Sequence, residues 1–311
     1  MSREPHVSRE PRPQSEPVPR EPRFHAELQD RREPRPHAEP HKPPVSSRVR
    51  VITATAFSLT TTALILISDI TTMVAMALLA GLCAFEFYAL LRADAKLPNE
   101  LIGTIAAALY PVSYWFGGFN GMLTLTTVFA VVLLVWYVFY SHARITDVAV
   151  TLFGALYTGL MLTAFVLIRG ILPGIWGGVL TFGIVLSVWA NDAMAFAVGS
   201  ALGRHKMAPR ISPAKSWEGF WAGIAASLII WSLLLLIPGL GLDWPWALVG
   251  GLVCGWVGIL GDLVESRIKR ATGHKDSGSL LPGHGGFLDR CDSMLVVGAT
   301  ATLVLRAAGV L

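Results

Sequence analysis

Residues 266–292, SRIKRATGHKDSGSLLPGHGGFLDRCD, lie between two apolar runs of membrane length, 245–265 and 291–309. The stretch holds five basic residues (Arg267, Lys269, Arg270, Lys275, Arg290), two histidines and three aspartates, joined by Gly283, Gly285 and Gly286. Charge beside a bilayer is costly unless it is partnered. So much polarity in one connection therefore points to a site for phosphates and a divalent metal rather than to a passive linker. The flanking runs set the fold class, because a helix needs about 20 apolar residues to cross the hydrocarbon core.

Composition extends that reading to the whole chain. Of 311 residues, 53% are apolar and 15% charged, with a mean hydropathy of +0.55; soluble domains carry about a quarter charged residues. An all-α, polytopic integral membrane protein is expected. From Val51 onward, apolar runs at 51–67, 70–91, 101–116, 122–140, 147–168, 176–199, 217–237, 245–265 and 291–309 predict about nine transmembrane helices, the third being the shortest. Alternate connections carry the Lys and Arg: Arg48 and Arg50, Arg92 and Lys96, Arg144, then Arg204, Lys206, Arg210 and Lys215, then the 266–292 stretch. The other connections hold one arginine between them, so the positive-inside rule places the N-terminus and the basic loops in the cytoplasm.

The first 50 residues differ in kind, with 11 of the 25 Lys and Arg, 8 of the 21 Asp and Glu and 11 of the 19 prolines. A repeated Arg-Glu-Pro theme blocks helix and opposes collapse. Residues 1–47 are expected to form a disordered cytoplasmic tail, weakly adhesive to anionic lipid at most, ahead of a membrane-embedded domain at 48–311. Cys83, Cys254 and Cys291 have neither disulfide-framework nor zinc-site spacing.

Several polar residues sit where a bilayer disfavours them. Glu86 lies in the second span; it either pairs with Arg92, about a turn and a half on, or faces a polar cavity. Asp192, in WAND of the sixth span, needs a cationic partner or a metal. In the following GRHKMAPRISPAKSWEG segment, topology alone accounts for Arg204 and Lys206. Ser212, Lys215 and Ser216, by contrast, precede a helix whose free N-terminal amides can join them on an anion. Asp262, Glu265, Ser266 and Lys269 share one helix face by three- and four-residue spacing. Asp289 and Asp292, three apart at a helix start, suit Mg²⁺ held by few carboxylates together with substrate phosphates.

These residues carry a resemblance. SRIKRATGHKDSGSLLPGHGGFLDRCD resembles the signature of the phosphatidate cytidylyltransferase (CDP-diacylglycerol synthase) family, S-x-x-K-R-x4-K-D followed after a spacer by P-x-H-G-G-x-x-D-R-x-D. It matches at Ser266, Lys269, Arg270, Lys275, Asp276, Pro282, His284, Gly285, Gly286, Asp289, Arg290 and Asp292. WAND and the segment around KMAPRISPAKSWEG look like two further blocks of the same family, so the likeness covers at least residues 186–305. Cys291 departs from a usual aliphatic residue or threonine. Ala193 to Phe196 replace a small-Gly-Ala-Tyr run, which puts the packing near Asp192 in question.

The resemblance implies transfer of a cytidylyl group from CTP to phosphatidate, giving CDP-diacylglycerol and pyrophosphate. It implies catalytic roles for Lys269, Arg270, Asp289 and Asp292, and metal binding by Asp262, Asp289 and Asp292. Substrate binding would fall to Ser212, Lys215, Ser216, Ser266, Lys275, His284, Gly285, Gly286 and Arg290, with Asp192 and Glu86 in support. Mg²⁺ is the implied cofactor, with room for a second, monovalent cation. CTP, phosphatidate and membrane lipids are the implied partners, with no nucleic acid and with a homodimer as the candidate assembly. The implied location is the inner (plasma) membrane, multi-pass, the site facing the cytoplasm. The rivals are a CTP-dependent lipid or polyprenol kinase and, from another class, a transporter with Asp192 and Glu86 on its ion path.

Overall fold

The computed structural model describes residues 47–92, 97–209, 211–274, 276–278, 280–281 and 285–311. The tail expected at 1–47 lies outside them apart from its last residue, as do Lys275 and His284 among the expected site residues. In chain order the elements are α1 (Ser47–Ile67), α2 (Asp69–Arg92), α3 (Glu100–Phe139), α4 (Ile145–Ala155), a π turn (Leu156–Leu160), α5 (Met161–Arg169), α6 (Ile175–Leu202), β1 (Lys206–Ala208), β2 (Ser212–Ser216), α7 (Trp217–Leu233), α8 (Trp244–Ala271) and α9 (Leu288–Ala307).

Seven helical segments among the described residues are long and apolar enough to cross a membrane. One of them, α3, has 40 residues, about 60 Å if straight at 1.5 Å per residue and so about twice the hydrocarbon thickness. It is not straight. Gly118, at φ 56° and ψ −143°, leaves the helical region, a conformation that a side chain would oppose. Beyond it the chain turns back: the Tyr110 hydroxyl lies 2.9 Å from Thr126 Oγ1, residues that a straight helix would hold about 24 Å apart. The two runs expected at 101–116 and 122–140 are thus the arms of one interrupted helix. α9, 20 residues long, carries Asp289, Arg290 and Asp292 at its start and Arg306 near its end, and is the most polar of the long helices.

Short connections are set by local hydrogen bonds. Ser68 and Thr71 exchange backbone and side-chain bonds in the turn between α1 and α2. Asn99 caps α3 through the Ile102 amide at 3.1 Å. Asp147 accepts from the Arg144 amide at 2.9 Å and from the Leu97 amide at 3.1 Å, which ties the start of α4 to the approach of α3.

Lipid tails are as apolar as leucine, so helices in a bilayer are held by close packing at small residues and by interhelical hydrogen bonds. The buried contacts have that character, with Ala84, Ala106, Ala107, Ala155, Ser187, Ser227, Ala247 and Ala301 almost fully enclosed. Tyr88 donates to the Thr151 carbonyl at 2.6 Å, joining α2 to α4. Asn191 donates to the Gly255 carbonyl at 2.7 Å, joining α6 to α8. At the opposite end of the bundle from the 266–292 stretch, Arg169 is buried. Its Nε donates to the Ile65 carbonyl at 3.1 Å and its Nη1 lies 2.6 Å from Asp69 Oδ1.

Arg169→Ala leaves that carbonyl and carboxylate without their cation, a loss of about 2 kcal/mol or more for charged hydrogen bonds. Asp69→Asn removes charge from a half-exposed partner and costs less. The thermal aggregation midpoint of detergent-solubilised protein is expected to fall in the order wild type, Asp69→Asn, Arg169→Ala.

Candidate active site

The second half of α6, the β1–β2 hairpin, the start of α7, the end of α8 and the start of α9 enclose a cavity of about 670 Å³. The hairpin occupies what the sequence suggests is a simple loop. β1 and β2 pair antiparallel, with Lys206 opposite Ser216. Its base is fixed where Trp217 donates to the His205 carbonyl and where the His205 ring sits 2.7 Å from Glu218. Ser216 then caps α7 by accepting from the Gly219 amide at 3.2 Å, so one of the free amides expected for an anion is already satisfied.

Among the described residues, six carboxylates line the cavity (Asp192, Asp262, Glu265, Asp276, Asp289, Asp292) against four cations (Lys206, Lys215, Lys269, Arg290). Asn191 and Asp192, adjacent in sequence, divide the work. Asn191 turns into the bundle towards Gly255, while Asp192 faces the cavity, where Lys215 and Arg290 are the nearby cations. Lys215 spans from β2 to α8, 2.7 Å from Asp262 Oδ2 and 3.2 Å from the Ile259 carbonyl. Ser266 donates to Asp262 Oδ1 at 3.1 Å. Ser266 does not line the cavity; it orients an aspartate that does.

Asp262, Glu265 and Asp292 each present a carboxylate oxygen within 4.8 Å of the others, a set that could hold a metal ion. Glu265 is 1% exposed, and its Oε1 has no hydrogen-bond partner among the described residues. A buried carboxylate oxygen without a donor carries a large penalty unless a cation completes it, so the donor set fits a hard divalent ion such as Mg²⁺, which takes oxygen ligands.

Asp289, also expected to bind metal, lines the same cavity and has partners of its own. Its Oδ1 is 2.8 Å from Lys269 Nζ, both oxygens accept from the Ser277 amide at 3.1 Å, and Oδ2 accepts from the Gly286 amide at 2.7 Å. Burial pushes the Asp289 carboxyl up, while the Gly286 amide and the Lys269 ammonium favour its ionised form and lower it. It sits at the loop-facing first turn of α9, ahead of the helix's apolar part. Lys269 is shared, 2.6 Å from Glu265 as well. Gly285 has φ 80°, and a Cβ there would lie 2.4 Å from Asp289 Oδ2, so only glycine lets the loop close on this carboxylate.

Glu86 does not pair with Arg92, whose guanidinium is taken by Glu100. It is 2% exposed on α2, and its Oε2 accepts from the Leu288 amide at 2.9 Å and the Ser277 hydroxyl at 3.1 Å. Arg270, expected to be catalytic, is exposed, points to the His274 carbonyl at 3.4 Å and does not line the cavity. Helical geometry explains why: Lys269 lies on the Asp262 and Glu265 face, and the next residue is rotated by about 100°. Lys269, Asp292, Arg290, Ser212, Lys215, Ser216, Asp262 and Asp192 do converge on the cavity.

Across residues 48–308 the chain matches the model of the cytidylyltransferase family. The chain belongs to that family. Among its relatives, a phosphatidate cytidylyltransferase of Bacillus subtilis is 31% identical over 258 residues, 81% of this chain and 95% of that protein. Phosphatidate cytidylyltransferase 5, chloroplastic, of Arabidopsis thaliana is 35% identical over 271 residues, 76% of this chain and 66% of that protein. A phosphatidate cytidylyltransferase of Staphylococcus aureus reaches 47% identity over 113 residues, 36% of this chain and 43% of that protein.

Of the two departures from the family's pattern, Cys291 is fully buried with Cys83 beside it and lies off the cavity, whereas Ala195 and Phe196 form part of the cavity wall. The charged residues of the cavity wall missing from the expected site are Glu265, Lys206 and Asp276. Glu265 was signalled by its spacing from Asp262 and Lys269, Asp276 by its place in the motif, and Lys206 was masked by the ordinary need for basic charge in a cytoplasmic loop.

Mn²⁺ binding separates ligand from loop clasp. Followed by the loss of free-ion paramagnetic signal, Asp292→Asn and Asp262→Asn are expected to weaken binding by more than about tenfold, and Asp289→Asn by less than either.

Proposed function

We propose that this membrane protein transfers the cytidylyl group of CTP to phosphatidate, releasing pyrophosphate and forming CDP-diacylglycerol. The observation that carries this reading is the convergence of Lys215, Lys269 and Arg290 with the Asp262, Glu265 and Asp292 carboxylates in one cavity at a bundle end. The names of the relatives that cover most of this chain supply the lipid substrate.

The lipid phosphate monoester, with a second pKa near ~6, is largely a dianion at neutral pH, so its oxygen attacks the CTP α-phosphorus without a strong general base. A bond forms between that oxygen and phosphorus as the α–β bridging bond breaks, and the electron pair leaves on pyrophosphate. What the protein must supply is placement and neutralisation of two polyanions. Lys269, fixed between Glu265 and Asp289, presents an ammonium that cannot swing away. Lys215 is held by Asp262 from the hairpin side, and Arg290 adds a cation from α9. Ser212 and Ser216 line the same wall and offer hydroxyls. Mg²⁺, held by Asp262, Glu265 and Asp292, would draw charge from the nucleotide phosphates when bound. The cluster of Asp262, Glu265 and Asp292 favours a triphosphate that arrives with a cation.

We further propose nine membrane crossings, counting both arms of α3 and counting α4, the π turn and α5 as one, with the N-terminus and the cavity mouth on the cytoplasmic face. The basic residues Arg48, Arg92, Arg144, Lys206 and Lys269 fall on alternate connections or helix ends, which supports that orientation. The lipid then reaches the cavity from the inner leaflet, its acyl chains remaining among the helices.

Purified protein given CTP, phosphatidate and Mg²⁺ is expected to release pyrophosphate and form CDP-diacylglycerol. Release of CDP instead would replace this reading with a lipid kinase. Lys269→Met is expected to lower kcat by about 100-fold or more while leaving folded protein in the membrane; near-normal turnover would remove Lys269 from the chemistry.

A further inference from the structure

A side chain from the first half of this chain reaches the loop beside the site. Glu86 comes from α2, in a half of the molecule none of whose described residues lines the cavity, and it meets residues about 200 positions further on. Its Oε2 accepts from the Leu288 amide at 2.9 Å and the Ser277 hydroxyl at 3.1 Å. The backbone closes round the carboxylate so tightly that a Cβ on Gly286 would lie 2.2 Å from Oε2, and one on Gly278 2.5 Å from Oε1. Ser277 is held twice, its hydroxyl by Glu86 and its amide by Asp289. Leu288 and Asp289 open α9, and Asp292 lies one turn on.

We propose that Glu86 is a positioning residue for the reaction. Its hydrogen-bond partners do not line the cavity, and it acts by accepting two hydrogen bonds that set the start of α9, and through it the placement of Asp289, Lys269 and Asp292. The links run from Glu86 to Ser277, from Ser277 to Asp289, from Asp289 to Lys269 and from Lys269 to Glu265, each a contact of 3.1 Å or less. A carboxylate suits this task in a lipid-embedded setting, because one group satisfies a hydroxyl and a helix-start amide that would otherwise be buried without an acceptor. The geometry asks for an acceptor oxygen rather than for a negative charge, so glutamine, whose carbonyl oxygen in the place of Oε2 can accept from both the Leu288 amide and the Ser277 hydroxyl, should stand in for it, whereas alanine should not.

The consequence for catalysis rests on the cytidylyl-transfer reading, so the test includes a measurement that does not depend on it. Hydrogen–deuterium exchange of the detergent-solubilised full-length protein should show faster exchange in Glu86→Ala confined to residues 276–292, with α6 and α7 unchanged, and wild-type protection in Glu86→Gln. In the transfer assay, Glu86→Ala should lower kcat by about tenfold or more and raise the Mg²⁺ concentration needed for half-maximal rate, as loss of a group supporting metal ligands does. Glu86→Gln should stay within about threefold of wild type in both respects. Gly278→Ala should be damaging alone and less so combined with Glu86→Ala, because the atoms nearest to its new methyl all belong to the Glu86 side chain. Unchanged exchange at 276–292 in Glu86→Ala, exchange raised throughout the bundle, or a Glu86→Gln as defective as Glu86→Ala would each overturn the assignment. If wild-type protein shows no cytidylyl transfer at all, the exchange experiment still decides whether Glu86 sets this loop.

Discussion

Unmatched charge is costly at the edge of a bilayer, and the arrangement around the cavity follows from that constraint. Lys215 and Lys269 each answer a carboxylate on a different element: Lys215 joins the hairpin to α8 through Asp262, and Lys269 joins α8 to α9 through Asp289. These pairs spend the attraction that holds helix ends together, and they leave Asp262, Glu265 and Asp292 with an excess of negative charge at one point. A divalent cation at that point would offset the excess.

The division between the halves of the molecule is physical as well as sequential. The first half packs through small residues and buried hydroxyl and guanidinium contacts, as between Tyr88 and Thr151 and between Arg169 and Ile65. The second half supplies the described cavity wall, from the inner part of α6 and from the ends of α7, α8 and α9. A side chain's burial in this protein therefore reports different duties according to its place: Asn191 is buried to hold helices together, and Glu265 is buried while presenting an oxygen towards the cavity.

Much of this was legible in the residues. Membrane length and apolar composition marked the helices, and the break in α3 fell between two runs that the hydropathy separated. The three- and four-residue spacing of Asp262, Glu265, Ser266 and Lys269 already defined one face, and the structure adds that Ser266 serves Asp262 rather than the cavity. Other features were hidden because they depend on partners distant in the chain. Nothing near Glu86 announces Ser277 or Leu288, and proximity in sequence favoured Arg92, which Glu100 claims. Asp289 and Asp292 look equivalent by spacing, yet the loop's amides fall on one and the acidic cluster on the other. Arg270 beside Lys269 reads as a pair in sequence, while the helix turns them to different surroundings.

The long reach of Glu86 also bears on biogenesis. The Asp69–Arg169 pair can form once the first 169 residues have been made, so the early bundle has its own lock. Glu86 has no such local partner among the described residues: the groups that donate to its Oε2 lie at 277 and 288 and emerge late from the ribosome. Until then an acidic side chain waits in the membrane without its native donors, and the entry of α9 satisfies it in the same step that brings Asp292 to the cavity. Completion of folding and completion of the acidic cluster are thus one event in the life of the chain.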